Sequence, residues 1–151
     1  METSRRDLIV AGTALTALMA SGSKAQPAAA KGSMEIIHVY AGADGVSHVK
    51  RVTVTGLPKP LPITEVRASF VAKGTEDWHV APSKLFTINT AGDIQAEMGD
   101  GTRIAIGKGD LVYLEDLTGK GHITRLLTDV SNLFLMMKPD FDLEKWARGK
   151  G

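Results

Sequence analysis

The chain of 151 residues contains no cysteine. That single absence excludes disulfide staples, thiolate catalysis and cysteine-ligated metal. Charge of one sign is missing as well, with 18 Lys and Arg against 17 Asp and Glu. Three of the basic and two of the acidic residues fall within the first thirty positions, which leaves fifteen of each from Lys31 onward. So balanced a body gives no electrostatic case for binding nucleic acid or an anionic membrane surface. Long apolar runs are also missing: Leu8 to Met19 spans about twelve residues, whereas crossing a bilayer takes roughly twenty. There is no Gly-x-Ser-x-Gly elbow and no His-Glu-x-x-His pair. The stretches Gly99-Asp100-Gly101 and Gly107-Lys108-Gly109 read as turns, because no helix follows to make either a phosphate loop.

What is present begins with an export signal. Arg5 and Arg6 stand directly ahead of the apolar run, and small residues follow it, with cleavage expected after Ala25 or Ala30. Paired arginines in that position look like a bacterial twin-arginine signal. Residues 1–30 are therefore expected to be a cleaved signal peptide. Residues 31–151 would then form a periplasmic or secreted domain with no membrane insertion after cleavage. The remaining 120 or so residues suffice for one domain with a single core.

The body of the chain reads as short strands divided by turns. Ile36–Tyr40 is an apolar strand that ends at Gly42-Ala43-Asp44-Gly45, a hairpin signal. Val46–Thr55 follows, and Gly56-Leu57-Pro58-Lys59-Pro60-Leu61-Pro62 then forces an extended loop. Further strands are expected over Ile63–Ala72, Trp78–Thr90, Ile94–Met98, Thr102–Ile106, Leu111–Glu115, His122–Thr128 and Asn132–Lys138, with Gly74 among the turns. Only Phe141–Arg148 has the pattern of a helix. So many short strands argue for a sandwich or barrel.

Two segments carry the chemistry. Asp77-Trp78-His79-Val80-Ala81-Pro82 and Gly119-Lys120-Gly121-His122 each bring one histidine to a strand end. Between them Gly109-Asp110 opens a strand, and Gly92 closes the one that starts near His79. Together with Asp44-Gly45-Val46-Ser47-His48 and Glu115-Asp116-Leu117-Thr118, these segments resemble the small single-domain members of the cupin superfamily. The resemblance runs from about Thr64 to Asp129 and implies an all-β fold, the cupin jelly-roll or double-stranded β-helix barrel, with a short C-terminal helix. In the family the two motifs supply four metal ligands. Here His79 and His122 fill two of those positions, while Ala81 and Leu85 occupy the other two and cannot ligate.

The resemblance implies one internal pocket shared by His79 and His122, about 3–6 Å apart, as the distances of ligation and proton transfer require. The pair is expected to do acid–base catalysis or to hold one weakly bound divalent ion such as Fe, Mn, Ni or Zn; a site with no metal fits as well. Glu115 and Asp116 are the candidate catalytic carboxylates. Trp78, Leu85, Thr87 and Arg125 are candidate substrate contacts, and Lys84 could meet a substrate carboxylate. Strand alternation places Ala81, Ser83, Leu85, Thr87 and Asn89 on the side of His79, with Phe86 and Ile88 opposite. His38 and His48 read as surface or hairpin residues. Three functions follow: a lyase or isomerase acting on a small molecule, a metal-dependent oxygenase, or a non-catalytic small-ligand-binding cupin. A homodimer is expected because the N-terminal strand and the run Leu133–Met137 would otherwise leave sticky edges. Loss of either pocket histidine is expected to remove chemistry and to change stability by only about 1 kcal/mol.

Overall fold

The computed structural model describes residues 32–149, so the export signal expected over residues 1–30 lies outside the described residues. Ten strands form two sheets: β1 (Met34–Ala41), β2 (Ser47–Val54), β3 (Ile63–Val71), β4 (Gly74–His79), β5 (Leu85–Ala91), β6 (Ile94–Glu97), β7 (Arg103–Ile106), β8 (Leu111–Glu115), β9 (His122–Leu126) and β10 (Val130–Met137). A single short helix, α1 (Leu143–Arg148), follows them. The larger sheet has the order β2-β1-β8-β5-β10-β3 and the smaller β4-β9-β6-β7. The protein is therefore all-β with one short C-terminal helix, as the resemblance implies. Among the described residues no helix is long and apolar enough to cross a membrane.

Period-two alternation divides the apolar residues between two layers. Ile37, Val39, Val112 and Val130 point between the sheets and pack with Ile94, Ala96, Met98, Ile106 and Leu126 of the smaller sheet. Their strand neighbours Ile36, Phe86, Tyr113, Leu135 and Met137 point outward, where Phe141, Leu143 and Ala147 cover them. The helix closes this outer layer. Asp142 caps its N-terminus by accepting from the Lys145 N–H, and Trp146 donates to the Pro60 carbonyl at 2.8 Å, which ties the proline loop to the same layer.

Two sequence expectations need correction. The segment Trp78–Thr90 is not one strand. The chain leaves the smaller sheet after His79, passes through Val80–Lys84, and enters the larger sheet at Leu85. Pro82 lies in the crossing, where its missing N–H costs no ladder bond. Gly74 does not break the chain either but begins β4, whose first four residues are exposed and mostly polar. That composition hid the strand, because an exposed edge strand shows no apolar alternation.

The edges also differ from expectation. β1 lies between β2 and β8, and β10 between β5 and β3, so neither is an edge. One edge of the larger sheet is β3 instead, where Val66 and Phe70 are 56 % and 68 % exposed.

Candidate functional site

The three motif segments meet at one place. Ser47 is buried and donates from Oγ to the Gly121 carbonyl at 2.6 Å, while Oγ accepts the Gly99 N–H at 2.6 Å. The Ala81 N–H donates to the Asp116 carbonyl at 3.2 Å. Lys120 Nζ sits 3.6 Å from the centre of the Trp78 ring. His79 and His122 are paired residues of neighbouring strands β4 and β9, and their ring centroids are 4.5 Å apart with planes inclined at 58°.

Each imidazole is anchored through its Nδ1. His122 donates from Nδ1 to Asp116 Oδ2 at 2.6 Å, and both residues are buried, 4 % and 0 % exposed. His79 donates from Nδ1 to the Asp77 carbonyl at 2.6 Å. A backbone carbonyl only accepts, so this ring carries a hydrogen on Nδ1, and Nε2 is the nitrogen turned away from that bond. Both rings thus turn Nε2 to other work.

The pair lies at one end of a cavity of about 310 Å³ between the sheets. Most of its lining is apolar: Val39, Leu85, Val112, Leu114, Phe134 and Met136 come from the larger sheet, and Ile94, Ala96 and Leu126 from the smaller. Thr87, Thr124, Asn132, Glu76 and Arg67 are its other polar members. Its size lies at the small end of ordinary ligand sites, and a few polar groups on an apolar wall is their usual make-up.

The candidates separate cleanly. His79, His122, Leu85 and Thr87 line the cavity, as does Ala81. Asp116 does not line it but stands behind His122 as the partner of its Nδ1. Glu115, the next residue, points to the opposite face of β8. There it accepts from His38 Nε2 at 2.7 Å and lies 4.0 Å from Lys84 Nζ. Burial works against its charge, yet the hydrogen bond and charge of His38, the Lys84 ammonium and Tyr113 together hold its pKa below the ordinary carboxylate range. His38 is therefore buried beneath the helix and is not a surface residue.

Trp78 and Arg125 follow the same rule, being strand neighbours of cavity residues and so facing away. Arg125 Nη1 lies 2.7 Å from Glu97 Oε2, and this contact is the largest of the causes that lower the Glu97 pKa. Lys84 is likewise turned outward, donating to the Phe141 carbonyl at 2.8 Å. Ser83 leaves the cavity side because Val80–Lys84 is a crossing and the alternation does not continue through it. Thr124 was within reach of the period-two argument, standing two residues after His122. Arg67 and Asn132 carried no such signal, since their strands bear no motif.

A cupin metal would need more than this site offers. Among the described residues no three His, Cys, Asp or Glu side chains come together in a set that could hold an ion. Glu76 Oε2 is 3.9 Å from His79 Nε2, but its side chain is half exposed. Two imidazoles fall short of the three protein ligands that catalytic sites use. What these residues can do unaided is exchange protons, with His122 in a fixed tautomer and a second ring in contact.

No protein-family model matches the chain, and none of the curated proteins does. Among solved structures it is similar to protein NMB1881 of Neisseria meningitidis, at 18 % identity and a TM-score of 0.42 over 54 % of this chain and 84 % of that one. It is also similar to a Salmonella typhimurium LT2 protein described as an ethanolamine utilization protein Q, at 12 % identity and a TM-score of 0.39 over 72 % of this chain and 99 % of that one. Neither likeness is close enough to carry an argument about activity.

Proposed function

We propose that the protein is a small-molecule cupin of the lyase or isomerase type, in which His122 and His79 move a proton on a ligand held in the cavity. The observation that carries this reading is the contact of two imidazoles at the end of an apolar cavity, one of them tied to the buried carboxyl of Asp116. His122 Nε2 is the base, since Asp116 keeps its hydrogen on Nδ1. His79 is the acid when it carries hydrogen on both nitrogens: its Nε2–H goes to the ligand oxygen as His122 Nε2 takes the carbon-bound proton. That proton then passes from His122 back to His79 Nε2 across the ring contact. Removing a proton beside a carbonyl, or losing water from the adjacent carbon, needs only such a pair.

A small enolisable ketone in D2O is the test, with carbon-bound hydrogen exchange followed by NMR. The expected result is exchange that His79→Gln lowers by about 10²–10⁴-fold, the usual worth of general acid–base catalysis. Ligands that raise the melting temperature without exchanging would favour a binding module. A second reading, a weakly held divalent ion on the two Nε2 atoms, draws support from the anchored Nδ1–H groups, which ligating histidines also have. Exchange that is lost with a chelator and restored by Zn, Fe, Mn or Ni would replace the metal-free mechanism, and would reopen the oxygenase reading if Fe alone restored function.

The assembly belongs to the same proposal. A homodimer formed along β3 would cover Val66 and Phe70, the most exposed large apolar residues of the larger sheet. Sedimentation is expected to give a dimer and Phe70→Lys a monomer. A wild-type monomer at high concentration would defeat this part.

A further inference from the structure

Of the polar residues lining the cavity, Asn132 is the one with a buried side-chain atom that has no partner among the described residues. It stands in β10 between Ser131 and Leu133, on the inward side, and is only 7 % exposed. It lines the cavity, and its Oδ1 is buried with no hydrogen-bond partner. A buried amide oxygen without a donor is costly, so a position of this kind points to a group that arrives from outside the chain.

Strand register fixes where this oxygen stands relative to the histidines. Along β10 and β5 the inward pairs run Met136–Leu85, Phe134–Thr87 and Asn132–Asn89. The first pair is at the end where the chain crosses from His79 through Pro82. The last is at the end where Gly92 meets Asp129 and Val130. Four residues of strand from Met136 to Asn132 correspond to about 13 Å. Phe134, Val112 and Leu126 lie along the way and are apolar. A polar terminus thus faces each end of a mainly apolar channel, with the Thr87 and Thr124 side chains between them.

We propose that the cavity selects an elongated, mainly aliphatic ligand with two polar ends: a carbonyl at His79 and His122, and a hydroxyl or N–H that donates to Asn132 Oδ1. This rests on the reading that the cavity takes a small molecule. Asn132 is a specificity residue here, since it touches the ligand far from the reacting atoms.

Matched probes separate the two ideas. Titration with 8-hydroxyoctan-2-one and octan-2-one, followed by NMR shifts of the His79 and Thr124 signals, is expected to give at least tenfold tighter binding of the hydroxyketone. Asn132→Leu is expected to bring that ratio to about one while octan-2-one still binds. Equal binding of both ketones by the wild-type protein would overturn the role of Asn132 and leave the cavity reading standing. Failure of both ketones to shift either signal would overturn the cavity reading itself. The wild-type ratio decides the matter even if the leucine variant does not fold.

Discussion

His122→Ala is expected to lower the melting temperature by 10 °C or more, roughly what about 3 kcal/mol produces in a domain of this size. His79→Ala should shift it by no more than a few degrees. Both should abolish proton exchange. The sequence alone led us to expect mild effects from both, and the structure separates them. His122 is buried, and its Nδ1–H makes the only hydrogen bond to the Asp116 side chain among the described residues, with Asp116 Oδ1 left without a partner among them. Removing the ring strands a fully buried carboxyl, at a cost between that of an orphaned polar group and that of a broken buried ion pair. The His79 side chain is 38 % exposed, and the carbonyl it leaves behind is within reach of water. A double variant checks the cause. Replacing both His122 and Asp116 with leucine should recover most of the loss, because no carboxyl is then left behind. Calorimetry that finds His79→Ala as damaging as His122→Ala would refute this account.

The same comparison shows what could be read from the chain and what could not. Every strand except β4, most strand ends and the helix were legible because period-two alternation and glycine turns are local signals. The meeting of His79 and His122 was legible through the motif segments. Leu85 and Thr87 do line the cavity, but the chain changes sheets between His79 and Leu85, so unbroken alternation is not what puts them there. Glu115 and Asp116 could not be told apart, since adjacent residues on a strand end face opposite ways and no sequence feature says which faces in. Trp78 and Arg125 failed for the same reason, each lying one residue from a cavity histidine or threonine. The edge position of β3 depends on which strands pair across more than sixty residues of chain, as with Phe70 and Ser131. No local pattern carries that information. Asn132 was missed because an amide within an apolar strand looks the same whether it is bonded or left open.

Gly121→Ala is expected to be the most damaging single change in the domain, costing more than about 4 kcal/mol, a size reached only when backbone or core cannot adjust. Gly121 has a φ of +74°, where a side chain costs about 1–2 kcal/mol by itself. The larger part is contact. A Cβ there would lie 1.8 Å from the His79 carbonyl oxygen and 2.3 Å from its carbon. Neither atom can give way, because the backbone of His79 is what β4 and β9 use to bring the two rings together. The glycine before His122 is thus what lets one histidine strand close on the other. Gly101 supplies the control, with a φ of +85° and open space where its Cβ would go. Gly101→Ala should cost only the backbone term, leave the melting temperature within about 10 °C of wild type, and keep proton exchange. Soluble yield and thermal unfolding of the two variants side by side decide it. If Gly121→Ala proved no worse than Gly101→Ala, the close approach of the two strands would not be what holds His79 against His122, and the geometry on which the catalytic reading stands would have to be sought elsewhere.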